Sequence, residues 1–210
     1  MRPRSDQFHE LSSEALEDSF LREALKRASS SFHAAKTDAV DSMPDWEELR
    51  QRGHDRKNRA IENLPEALEV FEKNLRSRGG EVHYCEDGAS ARDKILSIIR
   101  SSDGSSVTKS KSMVTEEIDL NDHLEAAGLS VIEGDLGEYI IQLAGEHPSH
   151  IVAPAIHKSR EEVAELFHEH LGSDPGADIP ELTRVARRAL REAFLSADVG
   201  ISGANFVVAE

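Results

Sequence analysis

The chain has 210 residues, of which 38% are apolar and 31% are charged, and its formal net charge is −15. This is the profile of a globular protein, and the excess of acids argues against nonspecific binding to nucleic acid or to anionic membranes, which requires basic surface. The single cysteine, Cys85, excludes an intrachain disulfide and a thiolate cluster within the chain.

Residues 1–60 are predicted to form a helical arm. Apolar side chains recur at helical spacing from Leu16 to Phe32, and the stretch Asp41–Pro44 interrupts the pattern. The polar stretch from Asp45 to about Arg59 has one apolar anchor, Trp46, which does not fix its structure. The N-terminus lacks the apolar core of a signal peptide, and no segment is apolar for long enough to cross a bilayer, so a cytoplasmic protein is expected.

Residues 61–210 are predicted to form one α/β domain, because helical and extended patterns alternate along them. The helical patterns are Leu64–Leu75, Ala91–Ile99, a segment that starts near Asn121 as its N-cap, a segment behind the capping box at Ser159–Glu162, and Leu182–Phe194. The expected strands are Glu81–Glu86, Ser105–Lys109, Leu129–Glu133, His150–Ala153 and Asn205–Ala209. This alternation favours parallel pairing in a layered sandwich.

The segment Lys109-Ser110-Lys111-Ser112 follows an expected strand and is the first candidate site. Ligands of open α/β sheets gather at the carboxyl ends of strands, where ammonium and hydroxyl groups suit a carboxylate or a phosphate. The alternative is a solvated connection whose lysines pair with Glu116 and Glu117, so both acids are kept among the candidates. Neither GxxxxGK[ST] nor GxGxxG occurs, so the common nucleotide-binding motifs are absent from the sequence.

The stretch from 134 to 158 holds the second set of candidates. A turn at Gly134–Gly137 could project Asp135 and Glu138 into a cleft, or Asp135 could only close an Asx-turn. His157 follows an expected strand and could act as a general acid or base, or as a hydrogen-bond donor to substrate, or could be a histidine at the edge of the core. The histidines in this stretch lack the spacing of a metal site, and no metal is predicted.

Asn205 closes a turn of small residues, Ser202-Gly203-Ala204-Asn205, before the last expected strand. Such a turn could admit a ligand close to the backbone, or it could be only a tight connection. Asn205 is therefore a candidate binding residue.

Two long blocks resemble the LUD domain of the lactate-utilisation protein B family. They are KSKSMVTEEIDLNDHLEAAGLSVIEGDLGEYIIQLAGEHPSHIVAPAIHKSREEVAELF, which starts at Lys109, and SADVGISGANFVVAE, which ends at Glu210. The resemblance covers roughly residues 60–210 and implies a three-layer α/β fold like that of the NagB, RpiA and CoA-transferase group. One departure is Gly134, because the family usually has Thr before the Asp of the DLGEY block.

The resemblance also implies a function. Family members take part in oxidation of L-lactate to pyruvate with two partner subunits, and they carry iron–sulfur clusters in a C-terminal region that this sequence lacks. We therefore expect no cluster in this chain, a LUD domain that is incomplete at its C-terminus, and a sheet edge through which the chain could form homo-oligomers. The alternatives are a stand-alone module that binds a small carboxylate or acts like a CoA-transferase, and an assembly scaffold.

Overall fold

The structure, a computed structural model, describes residues 5–150 and 153–204. The helices are α1 (Phe8–Glu17), α2 (Ser19–Asp41), α3 (Trp46–Glu62), α4 (Leu64–Ser77), α5 (Gly88–Ser101), α6 (Met113–Glu117), α7 (Leu120–Ala126), α8 (Leu136–Ala144), α9 (Arg160–Leu171) and α10 (Ile179–Ser196). The strands are β1 (Ser106–Lys109), β2 (Ser130–Glu133) and β3 (Val199–Ile201). The prediction of a mixed α/β fold with a parallel sheet and preceding helices is confirmed.

The described part of the N-terminal arm is mostly helical, as predicted. Asp18 separates α1 from α2, and its carboxylate accepts a hydrogen bond of 2.9 Å from the backbone N–H of Leu21. The predicted interruption falls between α2 and α3, and the polar stretch whose structure the sequence did not fix is the regular helix α3. None of the described helices combines the length and the apolar character needed to cross a membrane.

The chain divides into two compact units. One is drawn from Met1–Lys26 and Glu86–Gly203, and the other from Arg27–Cys85 and Ala204–Glu210. This division lies at a different place from the predicted end of the arm at residue 60, and it does not decide where the family domain begins, so that boundary stays a prediction.

The strand expected at Glu81–Glu86 is wrong. The segment follows α4 without a neighbouring strand among the described residues, and side chains hold it instead. Tyr84 donates a 3.0 Å hydrogen bond from its hydroxyl to Glu72, and Arg76 reaches the carbonyl of Val82 at 3.4 Å. The alternating sequence pattern does not produce a strand here, because the backbone of this segment has no neighbouring strand to bond with.

A three-stranded parallel sheet in the order β2-β1-β3 organises the larger unit. The expected strands Ser105–Lys109 and Leu129–Glu133 are present as β1 and β2, each one residue shorter. β3 was not predicted. The expected strand Asn205–Ala209 and residues 151 and 152 of His150–Ala153 lie outside the described residues, whereas Ala153–His157 forms turns.

Two apolar clusters hold the helices of this unit. In the first, Val107 and Val131 from the sheet pack with Leu120 and Leu124 of α7, which are 0% exposed, and with Ile99 of α5. Full burial of one such leucine is worth about 1.5–3 kcal/mol. The second cluster joins α8, α9 and α10 through Ile140, Ala164, Phe167, Ala177, Leu182 and Ala186.

The outer edge of β2 is covered by one side chain. The amide of Gln142, on α8, donates a 2.8 Å hydrogen bond to the carbonyl of Val131 and accepts one of 3.1 Å from the N–H of Glu133. These two backbone groups would otherwise need a neighbouring strand.

Candidate functional site

Lys109, at the carboxyl end of β1, is fully buried and paired. Its ammonium lies 2.8 Å from Oε1 of Glu133 and donates a 3.1 Å hydrogen bond to the hydroxyl of Thr115. The lysine side chain is 0% exposed and the glutamate side chain 6%. Lys109 and Glu133 stand opposite each other in the parallel register, so the sheet itself brings them together. Lys109 is thus part of the interior and is not a free cation.

Glu133 and its neighbour Asn121 each have one side-chain oxygen that receives no hydrogen bond from the described residues. Nδ2 of Asn121 donates a 2.6 Å hydrogen bond to Oε1 of Glu133. Oε2 of Glu133 and Oδ1 of Asn121 are buried, and no group in the described part of the chain donates a hydrogen bond to either. The expected role of Asn121 as a helix cap is wrong, because Asp119 holds the N-cap position of α7 and Asn121 faces Glu133 instead.

Lys111 forms a second ion pair, with Glu138. The lysine side chain is 26% exposed, whereas the glutamate side chain is 8% exposed. Asp135 positions Glu138, since its carboxylate caps α8 by accepting hydrogen bonds from the N–H groups of Gly137 and Glu138 at 3.0 and 3.2 Å. The expected turn is shorter than predicted, because α8 begins at Leu136.

Glu116 lies close to both ion pairs. Burial, followed by the negative charge of Glu138, raises the pKa of its carboxyl above the usual value, although Lys111 and Lys109 oppose the shift. The carboxyl of Glu116 therefore holds its proton more tightly than an ordinary glutamate does. Glu117, the next residue, is exposed to solvent.

A cleft of about 460 Å³ adjoins these residues. Glu116, Asn121, Glu133 and Glu138 line it, whereas neither Lys109 nor Lys111 does. Its acidic lining residues are Glu116, Asp119, Asp122, Glu125, Glu133, Glu138 and Glu146. Lysines pair with three of these seven acids, Glu133, Glu138 and Glu146, so the acids of the lining outnumber the lysines that pair with them.

Ser110 and Ser112 face the other neighbour of β1. The hydroxyl of Ser110 donates a 3.3 Å hydrogen bond to Ser202, just after β3, and its N–H donates to the carbonyl of Ile201 at 2.9 Å. A Cβ at Gly203 would lie 2.3 Å from Cβ and Oγ of Ser112, so only glycine fits there. The candidate Asn205 lies outside the described residues.

His157 is joined to a different group of side chains. Its Nδ1 contacts the hydroxyl of Ser149, and its Nε2 lies 2.9 Å from Glu146. Lys158 approaches the other oxygen of Glu146 at 2.5 Å, and these contacts, that of Lys158 first, lower the pKa of the Glu146 carboxyl. His157 does not line the cleft, although Glu146 does. Its catalytic role stays a prediction.

The structure therefore brings Lys109, Lys111, Glu116 and Glu138 together and leaves Glu117 outside. Sequence reasoning missed Glu133, Thr115 and Gln142. The signal for Glu133 was present, because an acid ends one expected strand where a lysine ends another, and parallel pairing sets strand ends side by side. Across the described residues, no three His, Cys, Asp or Glu side chains converge to hold a metal ion.

Comparison with known proteins gives consistent results. The model of the LUD domain family matches residues 68–210. A protein of Bacillus thuringiensis named Lactate utilization protein B is 38% identical over 209 residues, which is 100% of this chain and 44% of the relative. Proteins of the same name from Bacillus cereus and Bacillus anthracis match with the same identity and coverage. The chain thus spans less than half the length of these relatives, and no solved structure is significantly similar to it.

Proposed function

We propose that this chain, which belongs to the LUD domain family, serves in lactate utilisation as part of a protein that oxidises L-lactate to pyruvate. The observation that carries the proposal is identity of 38% across the whole chain to proteins named Lactate utilization protein B. The oxidation releases two electrons and two protons for each lactate, so it requires an electron acceptor and groups that take up protons.

Iron–sulfur clusters are the acceptors in this proposal, and they lie outside the chain. A cluster of this kind is normally held by four thiolates, whereas Cys85 is the only cysteine in the sequence. The residues present do not fit a cluster, so we derive no step through one. Electrons would leave by way of other parts of the protein and partner subunits in the cytoplasm.

Lys111 is the residue best suited to bind the lactate carboxylate. Its side chain is 26% exposed, so a substrate can reach its ammonium, which then bridges the substrate carboxylate and the buried Glu138. Lys109 cannot do so, since its side chain is 0% exposed and bonded to Glu133 and Thr115. Ser110 and Ser112 add hydroxyl groups on the same segment. A charge-assisted contact of this kind is worth about 1.5–3 kcal/mol.

Glu116 supplies the proton chemistry in this proposal. The pKa of its carboxyl is raised first by burial and then by Glu138. Transfer of the hydroxyl proton of lactate to a carboxylate is favoured when the acid is weak. A Glu116→Gln variant keeps the size of the side chain and removes this capacity.

The test is Lys111→Met in the protein as encoded. We expect loss of L-lactate oxidation in cell extracts, measured with an artificial electron acceptor, and loss of growth on L-lactate. Lys94→Met is the matched control, because Lys94 is an exposed lysine of the same unit. Full oxidation with Lys111→Met would reject the carboxylate site. Growth on L-lactate without the gene would reject the function itself and favour a carboxylate-binding or CoA-transferase-like module.

A further inference from the structure

Helix α1 is amphipathic, yet none of its ten residues is buried in the described structure. Phe8 and Leu16 are both 64% exposed. An isolated helix this short is marginal in water, and most helices of proteins are stabilised by packing of an apolar face. A stable α1 therefore requires a contact that the described residues do not supply.

α1 also carries a row of acids on one side. Glu10, Glu14 and Glu17 follow each other at intervals of four and three residues, so they lie on the same side over about 10 Å of helix. All three are exposed, and no basic side chain in the described part of the chain pairs with them. We call this row the glutamate face.

α10 carries a row of basic side chains at matching intervals. Its exposed side holds Arg184, Arg187, Arg188 and Arg191, which we call the arginine face. Within the described ranges, Arg184 is the one member with an ion pair, to Glu181. The steps from Arg191 to Arg187 and from Arg187 to Arg184 are four and three residues, as on the glutamate face. In a chain with a net charge of −15, cations without counter-ions suit an acidic partner.

Large apolar side chains extend the arginine face. Phe194 and Leu195 are 69% and 67% exposed. They follow Arg191 by three and four residues, so they lie on the same side of the helix. Arginine beside exposed aromatic and aliphatic side chains is the composition of a protein interface, not of an ordinary solvated surface.

We propose that two copies of this chain associate, with the glutamate face of each copy against the arginine face of the other. α1 and α10 belong to the same compact unit, so one copy carries both halves of the contact and a twofold arrangement forms it twice. The charges select the pairing, whereas burial of Leu16, Phe194 and Leu195 supplies affinity. The contact uses none of the residues assigned to lactate, and the proposal does not depend on lactate oxidation.

Analytical ultracentrifugation of the protein as encoded tests this. We expect a dimer that dissociates more readily as salt is added, because salt screens the charge pairs. Arg187→Glu combined with Arg191→Glu should weaken the dimer at least about tenfold, because like charges then face each other. Glu10→Arg combined with Glu14→Arg should do the same. Mixing the two double variants should restore a dimer, since each reversed face then meets the reversed face of the other protein.

The matched control is Arg52→Glu combined with Arg56→Glu. These are exposed arginines four residues apart on α3, which belongs to the other unit, and the net charge changes by the same amount. The control should dimerise like the original protein. Equal weakening by the control would show general repulsion between acidic proteins and would refute the proposed contact.

Other outcomes would also overturn the proposal. If the original protein is a monomer over a concentration series and the α1 and α10 variants melt at lower temperature, α1 packs on α10 of its own copy. A dimer that neither double variant weakens associates elsewhere, for example through the edge of β3. Melting temperatures show that each variant is folded, and a dimer of the original protein that is insensitive to salt rejects the charge pairing without any variant.

Discussion

Replacement of Lys109 by Met should destabilise the fold far more than an ordinary surface substitution. The side chains of Lys109 and Glu133 are 0% and 6% exposed, and their charges lie 2.8 Å apart. Removing one partner of a buried ion pair leaves the other charge in the interior, at a cost of about 3–5 kcal/mol. A typical domain has a free energy of unfolding of only about 5–15 kcal/mol, so this variant loses a large part of its stability.

The expected loss can be measured by urea unfolding followed by circular dichroism. At about 2–4 °C for each kcal/mol in a protein of this size, the melting temperature should fall by about 6–20 °C. Adding Glu133→Gln to Lys109→Met should restore part of the loss, because a neutral amide still accepts the hydrogen bond from Asn121 without leaving a buried charge. Lys111→Met should cost less than Lys109→Met, because Lys111 is 26% exposed, but more than a surface substitution, because it leaves the carboxylate of Glu138, 8% exposed, without its cation.

Two outcomes would refute this reasoning. One is a Lys109→Met protein whose urea midpoint and slope equal those of the original. The other is a double variant that is less stable than Lys109→Met alone, because the residual cost would then not come from an unpaired Glu133. If the prediction holds, lost activity in Lys109→Met reports on folding, and only Lys111 can test anion binding by mutation.

Three further substitutions test other parts of the fold. Asp198→Asn should lower the melting temperature at pH 7, because Asp198 accepts four hydrogen bonds from two serines, which lower the pKa of its carboxyl to about 2. A lowered pKa stabilises above the unfolded value of about 4, so melting curves taken towards pH 2 should show the difference between variant and original vanish. Gly203→Ala should destabilise by clashing with Ser112, whereas Gly200→Ala, with nothing within 4 Å, serves as the control in thermal melts. Gln142→Leu should expose the edge of β2 and increase aggregation measured by light scattering.

Most of the helices and the first two strands could be predicted because their signals are local, whereas α6 and α8 were not predicted and the structure of α3 was left open. Apolar spacing and caps lie within one segment, and the capping box at Ser159 is formed as expected. β3 escaped prediction, since Gly200 interrupts a strand of three residues. The strand at Glu81–Glu86 was predicted wrongly because a strand also needs a neighbouring strand, which the local sequence does not reveal.

The candidate site was predicted in part for the same reason. The sequence singled out Lys109 as a cation near a strand end, which is correct, but its burial depends on the register that sets it opposite Glu133. That register is a property of two strands more than twenty residues apart in the chain. Asn121 was interpreted as a helix cap. A short amide side chain suits a helix cap and a buried hydrogen bond equally well, so the residue type does not distinguish the two roles.

Gln142 influences which edge of the sheet can accept another strand. The amide occupies the carbonyl of Val131 and the N–H of Glu133, two of the backbone groups through which a strand would add outside β2. A strand added on that side would have to displace the side chain of Gln142, which is held on α8. At the opposite edge of the described sheet lies β3. Any strand that extends this sheet, from the same polypeptide or from another, is therefore directed to β3, beside Ser202 and Gly203 and the serines of the Lys109–Ser112 segment.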